Sequence, residues 1–384
     1  MLTRLTQVLV KAETTNGTWN APENTGGILA YEVVATPAFE MFKRDPMHSD
    51  LSRYQSLTGK QTASITFKTE VRGDGASVDP PDNIQVLLLA CKMAVSGSTI
   101  IPKSTSDTTI SIQVEEDGIH KQFKGCGGNV RLTGTAGEPM FFEFTFMGTI
   151  HDIAAGTLTT LSGIPTTVPP ILISASFSTN VGSSQSHLIN TIEFDLQNEV
   201  VMSPDINTST GVKAAKIVGR EPVGSFDPEY NTTYDWLDAI ISNTQGTLSL
   251  TLGSSQYNNI RITCPQIRFL AMDPMDRDGI RALTVPFEMN RSSGNDEIVI
   301  DWSDLLTVNV NDSVTLAESI SIIANREIST YDTITLTESI NLTGVIQGEI
   351  DGVFSVVQPG ISITGTQPGI AFSVKQPGID FTRG

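Results

Sequence analysis

The sequence predicts an all-β protein with one short helix per domain, arranged as two tandem β-sandwich or barrel domains followed by a small β-repeat appendage. Three observations carry this expectation. Short segments alternate apolar and polar residues along much of the chain, landmarks of residues 28–155 return in the same order within residues 170–302, and residues 303–384 break into short repeats. Thr, Ser, Ile, Val and Gly recur throughout, with 39% apolar but only 17% charged residues, as suits many short strands joined by turns.

Residues 1–27 read as an N-terminal arm whose weak alternation fits a strand added to a neighbouring subunit's edge. In each domain the order is strand, long loop, strand, helix and then several strands. Gly59 and Ile65 match Gly211 and Ile217 at an offset of 152, and at that offset Ile84, Leu88 and Leu89 match Trp236, Ile240 and Ile241. Apolar residues at i, i+4 and i+5 behind Asp82-Asn83 or Tyr234-Asp235 predict a short amphipathic helix lying on a sheet. The alternating strands that follow, 109–114 and 247–252, are 138 apart, as are Cys126 and Cys264, each trailed by an apolar-Arg pair, Val130-Arg131 or Ile267-Arg268. The drop in offset places a longer Ser/Thr/Pro/Gly loop around residues 96–107 of the first domain. Each domain closes on a strand with one apolar face, Phe142, Phe144 and Phe146 against Leu283, Val285 and Phe287. The linker, 156–169, is rich in Thr, Gly and Pro.

The appendage, 303–384, is different in kind. A nine-residue segment starting at Asp312 recurs from Asp332, and Gln-Pro-Gly-Ile begins at Gln358, Gln367 and Gln376, with Phe354, Phe372 and Phe381 in phase. Pro-Gly sets a turn, so short strands return at each repeat. Neither repeat buries a large core alone, and the appendage is expected to pack on the second domain or on a neighbour.

A search for chemistry finds none. Four histidines lie apart from any metal-ligand spacing, and three cysteines, Cys91, Cys126 and Cys264, form no close pair and read as buried thiols, so neither a cofactor nor a metal is expected. Gly125-Cys126-Gly127-Gly128 lacks the Lys-Ser/Thr step of a phosphate loop and reads as a tight turn. Glu115-Glu116-Asp117 before Gly118 reads as a solvated hairpin tip, and Asp312, Glu318, Asp332 and Glu338 as a polar strand face rather than calcium ligands. No nucleophile turn appears, so the protein is expected not to be an enzyme. A net charge of −18 disfavours a grip on nucleic-acid phosphates, and the start of the chain lacks the apolar run and cleavage site of a secretory signal.

Residues 57–75, a Gly-led strand ending in the turn Gly73-Asp74-Gly75, are followed by Pro80-Pro81 and Leu87-Leu88-Leu89-Ala90-Cys91. That succession resembles the tail tube proteins of long-tailed bacteriophages across most of the first domain. The second domain keeps the pattern without the helix wording, and Lys92-Met93 stands where the family usually has Gly. The resemblance implies a structural virion protein, assembled in the host cytoplasm, whose domains form stacked rings around a lumen; with two domains per chain, a ring needs three chains. Other tail proteins would cap the tube, and DNA would transit without specific binding. By the same resemblance, the loop before the Gly-led strand, with Phe39, Met41, Phe42, Asp45, His48 and Leu51, is the inter-ring contact. Apolar residues in a loop call for a partner or for folding back on their own domain. Glu70, Asp74, Glu115 and Glu116 are the expected lumen-lining acids, which would repel a phosphate backbone. The alternative is a secreted or virion-surface adhesin whose C-terminal repeats bind glycan or protein.

Overall fold

A computed structural model of the chain describes residues 4–164, 166–255 and 257–303, together with five short strands between 335 and 383. The chain divides into two units, 1–305 and 306–384.

In the first unit the first half holds β1 (Thr6–Ala12), β2 (Gly27–Ile28), β3 (Tyr31–Phe42), β4 (Leu57–Glu70), α1 (Asp82–Ala90), β5 (Met93–Ser96), β6 (Thr99–Pro102), β7 (Ile110–Glu116), β8 (Ile119–Thr135) and β9 (Phe141–Ala155). The second half holds β10 (Ser176–Val181), β11 (Ser183–Gln185), β12 (Ile189–Asp195), β13 (Asn198–Pro204), β14 (Val212–Arg220), β15 (Val223–Pro228), α2 (Trp236–Ile241), β16 (Gly246–Leu252), β17 (Ile260–Phe269), β18 (Asp273–Arg277), β19 (Ile280–Met289) and β20 (Val299–Asp301).

Antiparallel ladders run β2-β1-β7-β8-β9-β4-β3 through the first half. The second half repeats the order as β11-β10-β16-β17-β19-β15-β12. Neither series closes among the described residues, so the sheets are open rather than the closed form of barrel. The Cys landmarks also coincide in register: Cys126 faces Ile110 on the strand after the helix, and Cys264 faces Leu248.

Period-2 alternation does the core building. Phe142, Phe144 and Phe146 of β9 are all buried, Phe144 and Phe146 meet Phe67 of β4, and the Phe144 and Phe146 rings stack 5.5 Å apart. Phe226, Trp236, Phe269 and Phe287 form the matching cluster in the second half. Each such ring contributes roughly 1.5–3 kcal/mol by leaving water. Both helices begin where their start signals stand, with Asp82 in the first turn of α1 and the Asp235 carboxylate accepting the Asp238 N–H at 2.9 Å to cap α2. Both also end alike, on a left-handed residue, Lys92 (φ 59°) and Asn243 (φ 52°).

Several expectations are corrected. The N-terminal arm is not reserved for a neighbour: β1 pairs with β7 over its whole length. The loop around 96–107 contains the β5–β6 hairpin, whose Ile100 is buried and faces Ile300 of β20, tying the two halves together. The Gly125-Cys126-Gly127-Gly128 run is no turn but a bulge inside β8, with Gly125 at φ 60° and the register slipping between Lys124 and Gly127. Ile241, expected on the core face of its helix, is 68% exposed because α2 is one short turn anchored by Trp236 and Ala239 instead.

In the second unit the strands pair in parallel, not as returning hairpins: residues 353–356 lie beside 371–374 and residues 363–365 beside 381–383. Both pairs are offset by two nine-residue repeats, so alternate repeats contribute to alternate ladders. Asp312, Glu318, Asp332 and Glu338 lie outside the described residues.

Candidate functional site

The surface features that call for a partner concentrate on one hairpin. β3 and β4 pair from Tyr31↔Lys68 out to Phe42↔Leu57 and carry the connection 43–56 at their tip. Phe39, Met41 and Phe42 therefore belong to a strand, not to a loop as expected, and all three are exposed, Phe42 by 65%. They do not fold back on their own domain. At the tip Met47 and Leu51 are fully exposed, Asp45 meets Lys43 at 3.2 Å, and His48 stacks edge-on against Tyr54 at 4.9 Å. Met47, Leu57 and Val34 join this exposed set without having stood out in the sequence; their apolar character inside a pairing hairpin is the signal that marks them.

The hairpin of the second half, β13–β14, differs in that one face is buried, although Val201, Ile206 and Val218 stay exposed. Its buried residues Ala214, Ala215 and Ile217 lie on the first half, where the β8 glycines admit them: a Cβ on Gly125 would come within 3.0 Å of the Ala214 Cβ. Polar clamps flank this seat, with the Lys92 ammonium donating to the Ile217 carbonyl at 2.9 Å and the Asn198 amide donating to the Cys91 carbonyl at 2.9 Å. Below it the buried Glu13 carboxylate accepts from the Gly17 and Gly125 N–H groups and the Thr109 and Ser111 hydroxyls. Edge pairing adds to the joint, since β12 lies along β8 from Thr191↔Thr135 to Asp195↔Arg131, and Arg131 donates to Glu193 at 2.6 Å. No local pattern in the sequence marks these residues as a joint, and the glycine run by itself reads as a turn.

The four acids expected to line a lumen are not equivalent. Glu115 is fully buried, which removes it from any lumenal surface. It accepts from the Thr159 N–H and hydroxyl, Gln7 and Gln113, locking the linker onto the first half. Burial pushes its acidity down, but those donors outweigh burial and hold its pKa below the usual carboxylate value. Glu70 accepts from the Tyr31 hydroxyl at 2.6 Å and lies 3.4 Å from Arg72, and Glu116 pairs with Lys121 at 2.6 Å. Asp74 caps its own turn: burial opposes ionisation there, yet the N–H groups of Ser77 and Ala76 leave its pKa lowered.

Nothing in the described residues assembles a reaction centre. Burial raises the pKa of Cys91, Cys126 and Cys264, leaving them poor nucleophiles, and no cluster of potential metal ligands occurs among the described residues. An open cleft of 640 Å³ is bordered by His187 and Arg277, but Arg277 is engaged by Asp227 and Glu229 and His187 sits within the aromatic cluster. Among the described residues no helix is long and apolar enough to cross a membrane.

An all-β protein with an exposed apolar hairpin is the class that this fold and surface define. The chain belongs to the phage tail tube protein family, whose family model matches residues 3–289. No curated protein matches it. Membership makes the chain a structural component of a virion tail, assembled from many subunits with other tail proteins, and gives the adhesin alternative no support.

Proposed function

We propose that the chain is a duplicated tail tube subunit of a long-tailed, siphophage-type virus, with tube domains at 28–155 and 170–302 and a C-terminal appendage at 303–384. Three chains make a pseudo-sixfold ring, rings stack into a tube during assembly in the host cytoplasm, and DNA passes through the lumen on its way into the host. The observation that carries this reading is the strand order shared by the two halves, β2-β1-β7-β8-β9-β4-β3 and β11-β10-β16-β17-β19-β15-β12. One chain supplying two like units halves the number of chains a closed ring requires.

The hairpin tip supports stacking. Phe39, Met41, Phe42 and Leu51, flanked by Asp45 and His48, offer apolar surface that a monomer leaves in water. A net charge of −18 suits a conduit that must not hold phosphates, with Glu70, Asp74 and Glu116 as the lumenal acids. Negative-stain microscopy of the purified chain tests the reading. Hollow tubes or stacked rings are expected, whereas compact single molecules under all conditions would refute it.

A further inference from the structure

The two hairpins and the two helix ends are unequally covered. The C-terminal end of α1 is roofed by β13–β14 of the same chain, through Asn198 to the Cys91 carbonyl and Lys92 to the Ile217 carbonyl. The corresponding end of α2, with its left-handed Asn243, is bare: Ile241 is 68% exposed, and Leu237, one turn earlier on the helix, is 53% exposed. Conversely β13–β14 is seated, while β3–β4 keeps Phe39, Met41 and Phe42 exposed and is met at Gln61, whose N–H donates to the Thr210 carbonyl at 3.0 Å. Each half thus supplies one hairpin and one helix end, and a chain satisfies just one of its two possible hairpin-on-helix joints.

We infer that β3–β4 of a second copy covers the α2 end as β13–β14 covers the α1 end within the chain, so that the intrachain joint is the template for the contact between neighbouring chains of a ring. This rests on the duplicated-subunit reading above. The ladders fix which residues correspond. Counting three residues outward along the first strand of each hairpin from the bases Tyr31↔Lys68 and Asp195↔Val223 reaches Val34 in one and Asn198 in the other. Asn198 contacts the end of α1, so Val34 belongs at the end of α2, beside Ile241. Both are apolar and exposed, Val34 by 56%. A polar clamp inside the chain is replaced by an apolar contact between chains, which hides surface that has no cover in the monomer. The same shift shows in the seat: Gly125 and Gly127 correspond at the 138 offset to Thr263 and Pro265, so the chain-to-chain joint lacks the close backbone approach and leans on side-chain burial.

Thiol cross-linking tests this cleanly, because Cys91, Cys126 and Cys264 are all buried and stay silent. Chains carrying Val34→Cys and Ile241→Cys, assembled and treated with a short bismaleimide, are expected to link into closed trimers, with each single variant remaining monomeric on a denaturing gel. Tubes that form normally yet give no linked chains would overturn the inference while leaving the tube reading intact. A wild-type chain that never assembles would overturn both. A charge pair provides the second readout: Val34→Glu or Ile241→Lys alone is expected to block assembly with unfolding unchanged, and the two together to restore it. Assembly by both single variants at wild-type levels would also overturn the inference.

Discussion

Two hairpins, β3–β4 and the separate β13–β14 ladder that extends from the β12–β15 pair, have different surroundings in this molecule. β13–β14 lies against the first half with Ala214, Ala215 and Ile217 buried, whereas β3–β4 projects with Phe39, Met41 and Phe42 in water. The difference lies in what each faces, not in how each is built. Small residues meet a glycine bulge within the chain and make a closely packed joint, while on β3–β4 large apolar residues stay exposed. On the proposed reading folding and assembly draw on separate residues, and substitutions should separate them.

The largest effect is expected in the core. Phe144→Ala should lower unfolding stability by about 3–5 kcal/mol, whereas Phe42→Ala on the projecting hairpin should stay within about 0.5 kcal/mol and reduce tube formation instead. Denaturant titration of the monomer against sedimentation of tubes distinguishes the two. Gly125→Val comes next, since a side chain there meets Ala214 at a backbone with φ 60°, and a loss of about 3 kcal/mol is expected from strain and overpacking. Equal stability of that variant would mean that the β14 seat is not tightly packed.

Acid should reach the second half through His187. Its ring lies among Phe226, Tyr234 and Trp236, and burial lowers its pKa from 6.5 to about 4. An unfolded chain takes up the proton first as pH falls below 6.5, so the native state loses stability between there and about pH 4, by about 3 kcal/mol in all. His187→Phe should flatten that slope in pH-dependent melting, and an unchanged slope would place the acid sensitivity elsewhere. Glu115 acts with the same sign at lower pH. Its depressed pKa contributes stability above the usual carboxylate range, lost as pH drops through the folded value, and limited proteolysis near Thr159 should then report release of the linker. The smallest effect belongs to Lys43→Ala at the tip, where an exposed pair with Asp45 should change stability by less than about 0.5 kcal/mol.

Much of this is legible in the sequence, for reasons that locate the exceptions. Phe142, Phe144 and Phe146 announce a buried face because strand periodicity is local, and Asp235 announces α2 because capping is local. Cys126 and Cys264 keep in register the 138-residue spacing seen in the sequence, facing Ile110 and Leu248. The misses arise where the deciding neighbour is distant in sequence. Glu115 looks like a solvated acid until Gln7 and Thr159 close over it, and Gly125 looks like a turn until Ala214 arrives from the other half. Ile241 matches a buried pattern but lies beyond what one helical turn can bury.

Mass per unit length of assembled tubes, combined with the axial repeat, counts chains per ring and bears on the duplication most directly. Three chains in each ring are expected from two tube domains per polypeptide; a count of six would mean that each chain contributes a single domain to the wall and would contradict the duplicated subunit.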